Sequence, residues 1–256
     1  TADTVIIAPG HHICKIDFND VLKKHESNKA DITVLYKDYD GGAVKRPIYH
    51  QCSLDTDGAV RDINFFTAPK KGDHICLETY VIKKQLLIDL IKNCIEYDEY
   101  DFLKDIVKAN LINLKVQGYQ YTGYMPFIHS LETYHASNME FLNPEILRHF
   151  FYDSWEVFTK IKHEAPAEFT NSSKVSNSLI ANGCIIEGTV ENSIIFRGVK
   201  VKKGAVVKNS IIMQKGDIEE GARIENVITD KQVIITKNQK ITAINKPVVI
   251  KKEEVV

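Results

Sequence analysis

The sequence is poor in the features that mark secreted, membrane-bound and nucleic-acid-binding chains. Its 256 residues hold five cysteines, an odd number, and Cys14, Cys52, Cys76, Cys94 and Cys184 include no CxxC pair. That argues against a disulfide framework or a zinc site and reads as thiols buried in a reducing cytoplasm. No apolar run approaches the roughly 20 residues a membrane-spanning helix needs, and no signal peptide opens the chain. The sequon Asn171-Ser172-Ser173 therefore has no secretory context. Basic residues are not clustered: 33 Lys and Arg stand against 34 Asp and Glu, for a net charge of −1. Lys202-Lys203 and Lys251-Lys252 read as solvated faces, so neither nucleic acid nor a membrane is an expected partner. Methionine is missing at position 1, and the apolar Val5-Ile6-Ile7-Ala8 follows almost at once. Such a strand belongs inside a larger sheet, so the chain reads as a fragment.

What is present is a repeat. Asn177-Ser178-Leu179-Ile180 returns as Asn192-Ser193-Ile194-Ile195, Asn209-Ser210-Ile211-Ile212 and, more loosely, Glu225-Asn226-Val227-Ile228, at steps of 15, 17 and 16 residues. Between these phrases aliphatics fall six apart: Ile180 and Ile186; Ile195, Val201 and Val207; Ile212, Ile218 and Ile224. Gly183, Gly198, Gly204 and Gly221 each follow such a position by three residues, where glycine accepts the positive φ of a tight corner. A six-residue beat is neither helical nor a plain alternating strand; it predicts a parallel β-helix of stacked coils from about Val175 onward.

The first half predicts an α/β sheet domain. Val5–Ala8, Ile32–Tyr36, Pro47–Leu54, Val60–Thr67 and Ile75–Ile82 read as strands, with a hairpin turn at Asp55-Thr56-Asp57-Gly58. Leu111–Val116 and Tyr119–Tyr124 read as further strands around Gly118. Helices are expected from Phe18 to about Asn28 with Asp17 or Asn19 as cap, over Gln85–Ile95, from Ser130 to Phe141, and after Pro144. Glu164–Lys174 reads as a connector, which gives an α/β domain over 1–163, a linker over 164–174 and a β-helix over 175–256.

Four stretches carry a resemblance in their order and spacing. They are Ile6-Ile7-Ala8-Pro9-Gly10-His11-His12-Ile13; Asp101-Phe102-Leu103-Lys104-Asp105-Ile106; Gly123-Tyr124-Met125-Pro126-Phe127-Ile128 with Tyr134 and Asn138-Met139; and Asn177 through Gln214. Together they resemble the glucose-1-phosphate adenylyltransferase (ADP-glucose pyrophosphorylase) family along essentially the whole chain, nearest its catalytically degenerate glycogen-biosynthesis branch of the GlgD type. The resemblance implies a Rossmann-like nucleotidyltransferase domain followed by a left-handed β-helix. It also implies a reaction that joins glucose 1-phosphate to ATP, giving ADP-glucose and pyrophosphate with magnesium as cofactor. Magnesium wants oxygen ligands and neutralises phosphate charge during the transfer.

The motifs depart from the active pattern where the chemistry would sit. The family's Gly-Asp-His phrase reads Gly10-His11-His12, so His11 occupies one metal-carboxylate position. The Tyr-Trp-x-Asp-Val-Gly-Thr phrase reads Tyr124 to Ser130, with Phe127 at the second. Neither an imidazole nor a phenyl ring suits magnesium. Glu-Lys-Pro becomes Thr67-Ala68-Pro69, removing the lysine that meets phosphate unless Lys70 or Lys71 substitutes. Ser-Met-Gly becomes Cys76-Leu77-Glu78, which narrows the sugar pocket. No catalytic, cofactor-binding or metal-ligating residue is therefore assigned, and no cofactor is expected in this chain.

Blander readings compete at other residues. His11-His12 reads as a loop pair rather than a metal pair, and Asp101, Lys104 and Asp105 as a capped helix start rather than acid–base machinery. Tyr97, Tyr100, Tyr119, Tyr121 and Tyr124 read as packing, and Trp155 as a contact between domains or subunits. Three functions are weighed. The first is a regulatory, catalytically degenerate subunit that forms a hetero-oligomer with a catalytic adenylyltransferase in bacterial glycogen synthesis, with homo-oligomers through the β-helix a further option. The second is an active adenylyltransferase with relocated ligands such as Asp3 or Asp17. The third, a β-helix acyltransferase, lacks a base, since no histidine follows His163.

Overall fold

A computed structural model describes residues 3–41, 49–66, 68–98, 100–153, 157–158 and 162–256. It divides into two compact units, Thr1–Phe127 and Ile128–Val256. The helices after Ser130 therefore group with the second unit, not with the sheet. Trp155 and Thr67 lie outside the described residues.

The first unit is built on six strands: β1 Thr4–Ile7, β2 Ile32–Asp38, β3 Tyr49–Leu54, β4 Val60–Phe66, β5 His74–Lys83 and β6 Val116–Gln120. Their order is β4-β3-β5-β2-β6, with β1 added to β5. β5 organises the sheet. Its first half meets β3 at Gln51–Ile75, and its second half meets β1 from Ile7–Tyr80 to Thr4–Lys83. Among these described pairs only β2–β6 is parallel. Helix α1, Phe18–Ser27, starts where Asp17 accepts the Asn19 N–H at 2.9 Å, which decides between the two candidate caps. Helix α2, Lys84–Glu96, follows β5 directly.

Asp101 caps the next turn by accepting the Lys104 N–H at 2.9 Å, while Asp105 accepts the Asp101 N–H at 2.9 Å. The capped helix start read from Asp101, Lys104 and Asp105 is thus a reciprocal cap over a π-helical stretch, Phe102–Val107. One core packs β2, β5 and β6 against this stretch and α2 through Ile32, Val34, Tyr80, Leu90, Ile106 and Val107. A second packs α1 on the other face through Val21, Leu35, Leu77 and Val81.

Two expectations change here. Leu111–Val116 is not a strand: Asn113 and Leu114 donate their N–H groups back to the Asn110 carbonyl, closing a turn. β6 instead runs straight through Gly118, where a Cβ would lie 2.9 Å from Leu54 Cδ2 and 3.0 Å from the Tyr36 ring. That glycine marks close packing, not a break. The tyrosines also divide: Tyr121 is buried, whereas Tyr97 and Tyr100 are 72% and 80% exposed.

His25 sits buried on α1 with Nδ1 2.8 Å from Thr33 Oγ1. Burial first, then the nearby Lys83 charge, holds its imidazole below the ordinary 6.5. Folding thus favours the neutral ring. Its contribution to stability is complete above pH 6.5 and is lost as pH falls below that value toward the lowered folded pKa. Melting temperature is expected to decline on acidification through this window, and His25→Leu should flatten the slope. A slope unchanged in the variant would remove His25 from the account.

The second unit is a parallel solenoid of five coils, three strands per coil, forming three five-stranded sheets. Its first coil already begins with Glu168–Phe169, inside the stretch whose composition suggests a connector, and continues with Lys174–Ser176 at that stretch's end. The six-residue ladder is its core: Ile186, Ile195, Val201, Val207, Ile212, Ile218 and Ile224 are at most 1% exposed and pack together. All five cysteines are free thiols; Cys52, Cys76 and Cys184 are buried, and Cys14 and Cys94 partly so.

The corners explain the two halves of the repeat phrase. Gly183, Gly198, Gly204 and Gly221 have φ of +69° to +75°. Asn177, Asn192, Asn209 and Asn226 take the same left-handed conformation at another corner, with φ of +42° to +57°. Their side chains form a ladder, Asn177 Nδ2 to Asn192 Oδ1 at 2.7 Å and Asn192 Nδ2 to Asn209 Oδ1 at 2.6 Å. The serines beside them form another: Ser193 N–H to Ser178 Oγ, Ser210 N–H to Ser193 Oγ and Val227 N–H to Ser210 Oγ, each 3.1 Å.

The uneven step has a local cause. Four residues, Lys202–Ala205, separate Val201 from the next strand, whereas only Glu187 and Gly188 separate Ile186 from Thr189. Helix α3, Leu131–Glu140, opens with a capping box at Ser130 and Thr133. It is tied to the solenoid by His135 Nε2, 2.7 Å from the Asn209 carbonyl oxygen, and by a Glu132–Lys246 ion pair at 3.0 Å. Helix α4, Pro144–Phe151, follows with Asn143 as its cap.

Candidate functional site

Phe127 is bridged not to His11 but to its neighbour His12. The loop after β1 and the loop after β6 meet in an antiparallel bridge between His12 and Phe127, and the Ile13 N–H donates to the Pro126 carbonyl at 3.4 Å. The His12 ring meets the Phe127 ring edge-on at 4.5 Å, and His11 lies edge-on to His12 at 4.2 Å. Phe127 packs onto the α1-side core with Tyr121 and Met125. The second loop is further fastened by the Tyr121 hydroxyl, which donates to the Tyr124 carbonyl at 3.1 Å, and by Lys37 Nζ, which donates to the Gly123 carbonyl at 2.7 Å.

This donor set does not fit magnesium, which takes oxygen ligands in a near-octahedral shell. It offers two imidazoles and an apolar ring. The carboxylates named as substitutes are placed elsewhere. Asp17 is engaged as the α1 cap, and Asp3 precedes β1, at the end of the strand away from His11. Among the described residues no three His, Cys, Asp or Glu side chains converge on a metal position.

Glu78 lies within β5 with φ +52°, the left-handed conformation that favours glycine. Opposite it, the β2–β5 register shifts between Val34 and Tyr36. The backbone at this position thus has a glycine's geometry while the side chain is a glutamate. Its carboxylate Oε1 lies 3.1 Å from His50 Nδ1. His50 in turn lies edge-on to Phe65 at 4.9 Å.

Nearby, His74 Nδ1 lies 2.7 Å from Asp38 Oδ1, and Gln120 Nε2 donates to Asp38 Oδ2 at 2.8 Å. The sequence reading named Glu78 but not His50, His74 or Asp38. Their signal was the antiparallel register, which no local pattern displays.

Ala68 is exposed in the turn after β4. Lys70 and Lys71 are exposed as well. Asp73 shapes this turn, taking the Lys70 N–H at 2.7 Å and Gln51 Nε2 at 3.0 Å. Neither lysine is brought to the His12–Phe127 bridge by any described contact.

The strain at Glu78 is testable. Glu78→Gly should leave stability within about 1 kcal/mol, since relief of the left-handed strain offsets the lost His50 pair. Glu78→Val, with a β-branched side chain at positive φ, should cost about 2 kcal/mol or more in denaturant titrations.

A mixed sheet flanked by helices and joined to a hexapeptide solenoid defines the class: nucleotidyltransferase-like proteins that carry a β-helix. Residues 162–246 match the family model described as "GlmU-like, C-terminal hexapeptide". The chain is 36% identical over 237 residues to the glycogen biosynthesis protein GlgD of Bacillus subtilis, covering 93% of this chain and 59% of that protein. It is 34% identical to GlgD of Geobacillus stearothermophilus, over 79% of this chain and 48% of that protein. Glucose-1-phosphate adenylyltransferase of Thermosipho africanus is 33% identical, over 79% of this chain and 49% of that protein. The chain is thus a relative of the GlgD proteins and the glucose-1-phosphate adenylyltransferases, and it spans about half to three-fifths of their length. Among the described residues no helix is long and apolar enough to cross a membrane.

Proposed function

We propose that the protein serves glycogen biosynthesis as a regulatory, non-catalytic subunit that assembles with an active glucose-1-phosphate adenylyltransferase. The observation that carries this reading is the His12–Phe127 bridge. The two loops that meet there carry imidazoles and a phenyl ring, which supports the reading of His11 and Phe127 as standing at the family pattern's metal-carboxylate positions. Without a hard cation, nothing at this point would neutralise the charge that develops as phosphoryl oxygens are displaced. Glu78 adds a carboxylate where a sugar phosphate, itself anionic, would approach. Modulation of a catalytic partner would act through contacts that differ between two states of the assembly.

The test is pyrophosphate release from ATP, glucose 1-phosphate and magnesium. It is run with the complete protein alone and then mixed with the adenylyltransferase of the same cell. The reading expects no turnover alone and altered kinetics in the mixture. Robust turnover alone would overturn it in favour of an active enzyme. An inert protein that leaves the partner's kinetics untouched would overturn the regulatory role.

A further inference from the structure

One corner of the solenoid carries charge of alternating sign from coil to coil. Glu187 stands on the second coil, Lys202 and Lys203 on the third, Glu219 and Glu220 on the fourth, and Lys237 on the fifth. These six residues line one open groove of about 480 Å³. The flanking strands are in register from coil to coil, through Ile186–Val201, Val201–Ile218 and Ile218–Ile235, so the four rows stack at the strand spacing of about 4.8 Å.

The outer end of the stripe is internally bound. Lys237 Nζ pairs with Glu220 Oε2 at 2.8 Å, and the Lys237 N–H donates to Glu219 Oε2 at 2.9 Å. The remaining charges have no such partners: among the described residues, Glu187, Lys202 and Lys203 form no side-chain ion pair within 4.0 Å.

The order of signs is one negative, two positive, two negative, one positive. Read backwards it is its own complement. A two-fold axis perpendicular to the solenoid and midway between the third and fourth coils brings each row opposite a row of opposite sign on a second copy. Glu187 then faces the partner copy's fifth-coil lysine, and Lys202 and Lys203 face its fourth-coil glutamates. On the third coil the backbone itself is open at this corner, where Gly204 is exposed. An in-register parallel arrangement, or an antiparallel one shifted by one coil, sets like charges against each other. A parallel pair staggered by one coil opposes unlike charges in only three of the four rows and does not close, so the antiparallel register is the one that pairs every row.

We propose that this corner is a self-complementary docking surface for a second copy of the chain, paired antiparallel about that axis. Such an interface is isologous and closes as a dimer. Its charges steer encounter and fix register more than they add affinity, so it weakens as salt rises. The proposal does not depend on whether the protein is catalytic.

Sedimentation velocity tests it with the 256-residue chain. A dimer is expected at low ionic strength and dissociation toward monomer at about 0.5 M salt, where screening shortens to a few ångströms. The double variants Lys202→Glu/Lys203→Glu and Glu219→Lys/Glu220→Lys should each self-associate at least about tenfold more weakly, since like charges then face one another. Mixed together, the two should form a heterodimer as readily as the parent dimerises. A chain carrying all four reversals restores complementarity and should dimerise again, which separates loss of docking from loss of folding. A parent that stays monomeric at low salt would overturn the proposal. Double variants that dimerise like the parent, or a mixture that fails to associate, would do the same.

Discussion

Val201→Asp is expected to unfold the solenoid. Val201 is fully buried in the core, between Ile186 of the preceding coil and Ile218 of the next. Aspartate there removes an apolar side chain whose burial contributes about 1.5–3 kcal/mol. It also places a carboxylate among aliphatics with no cation or donor at hand, so the group must either ionise in a low-dielectric core or take up a proton. The combined cost is about 4 kcal/mol or more, a large part of a domain's whole stability. Because coils stabilise one another, the loss should spread through neighbouring coils and appear as a lost or strongly lowered cooperative transition. Cooperative unfolding near the parent temperature would mean that Val201 does not face inward.

The second large effect is steric. Gly188 lies on the shortened corner, where a Cβ would fall 2.5 Å from the Ala205 carbonyl oxygen and 2.7 Å from that of Lys202. Both obstacles are backbone of the next coil and cannot rotate aside. Gly188→Ala should therefore cost about 3 kcal/mol. Gly204→Ala provides the contrast. There φ is +75°, but the nearest atoms stand 3.8 Å away, so only the left-handed backbone is penalised, at about 1 kcal/mol. Denaturant midpoints for the two variants should differ clearly. Equal losses would mean that coil-to-coil distance does not limit this corner.

The solenoid was more legible in the sequence than the sheet unit, for a physical reason. Its contacts repeat at fixed separation, so Ile195, Val201 and Val207 announce a shared core by spacing alone. The asparagines were visible as a repeated letter, but their role was not. Only the backbone shows that they take the same left-handed turn as the glycines and bond to one another. In the sheet unit, strands were found where apolar runs are continuous, as in β2 and β5. Gly118 misled because a glycine that breaks a strand and one that yields space to Leu54 and Tyr36 look identical in one dimension. At the candidate site, His11, Phe127 and Glu78 could be named from motif order. The partnership of Glu78 with His50, 28 residues away, is set by strand pairing and so became visible only in three dimensions.

The corner at Glu187-Gly188 is two residues shorter than its neighbour, yet the strands on either side of it stay in register with the next coil. A further length change is accommodated between Thr242 and Val248, where the last coil makes a longer excursion. By contrast, the Asn-Ser corners at 192–193 and 209–210 tie side chain to side chain and hydroxyl to backbone between successive coils. The coil is therefore open to insertions and deletions at some corners and closed to them at others. Extra segments acquired during divergence, or grafted by design, should settle at 202–205, or where the last coil has already opened the asparagine corner after Thr242, and be rejected at the Asn-Ser corners of the inner coils.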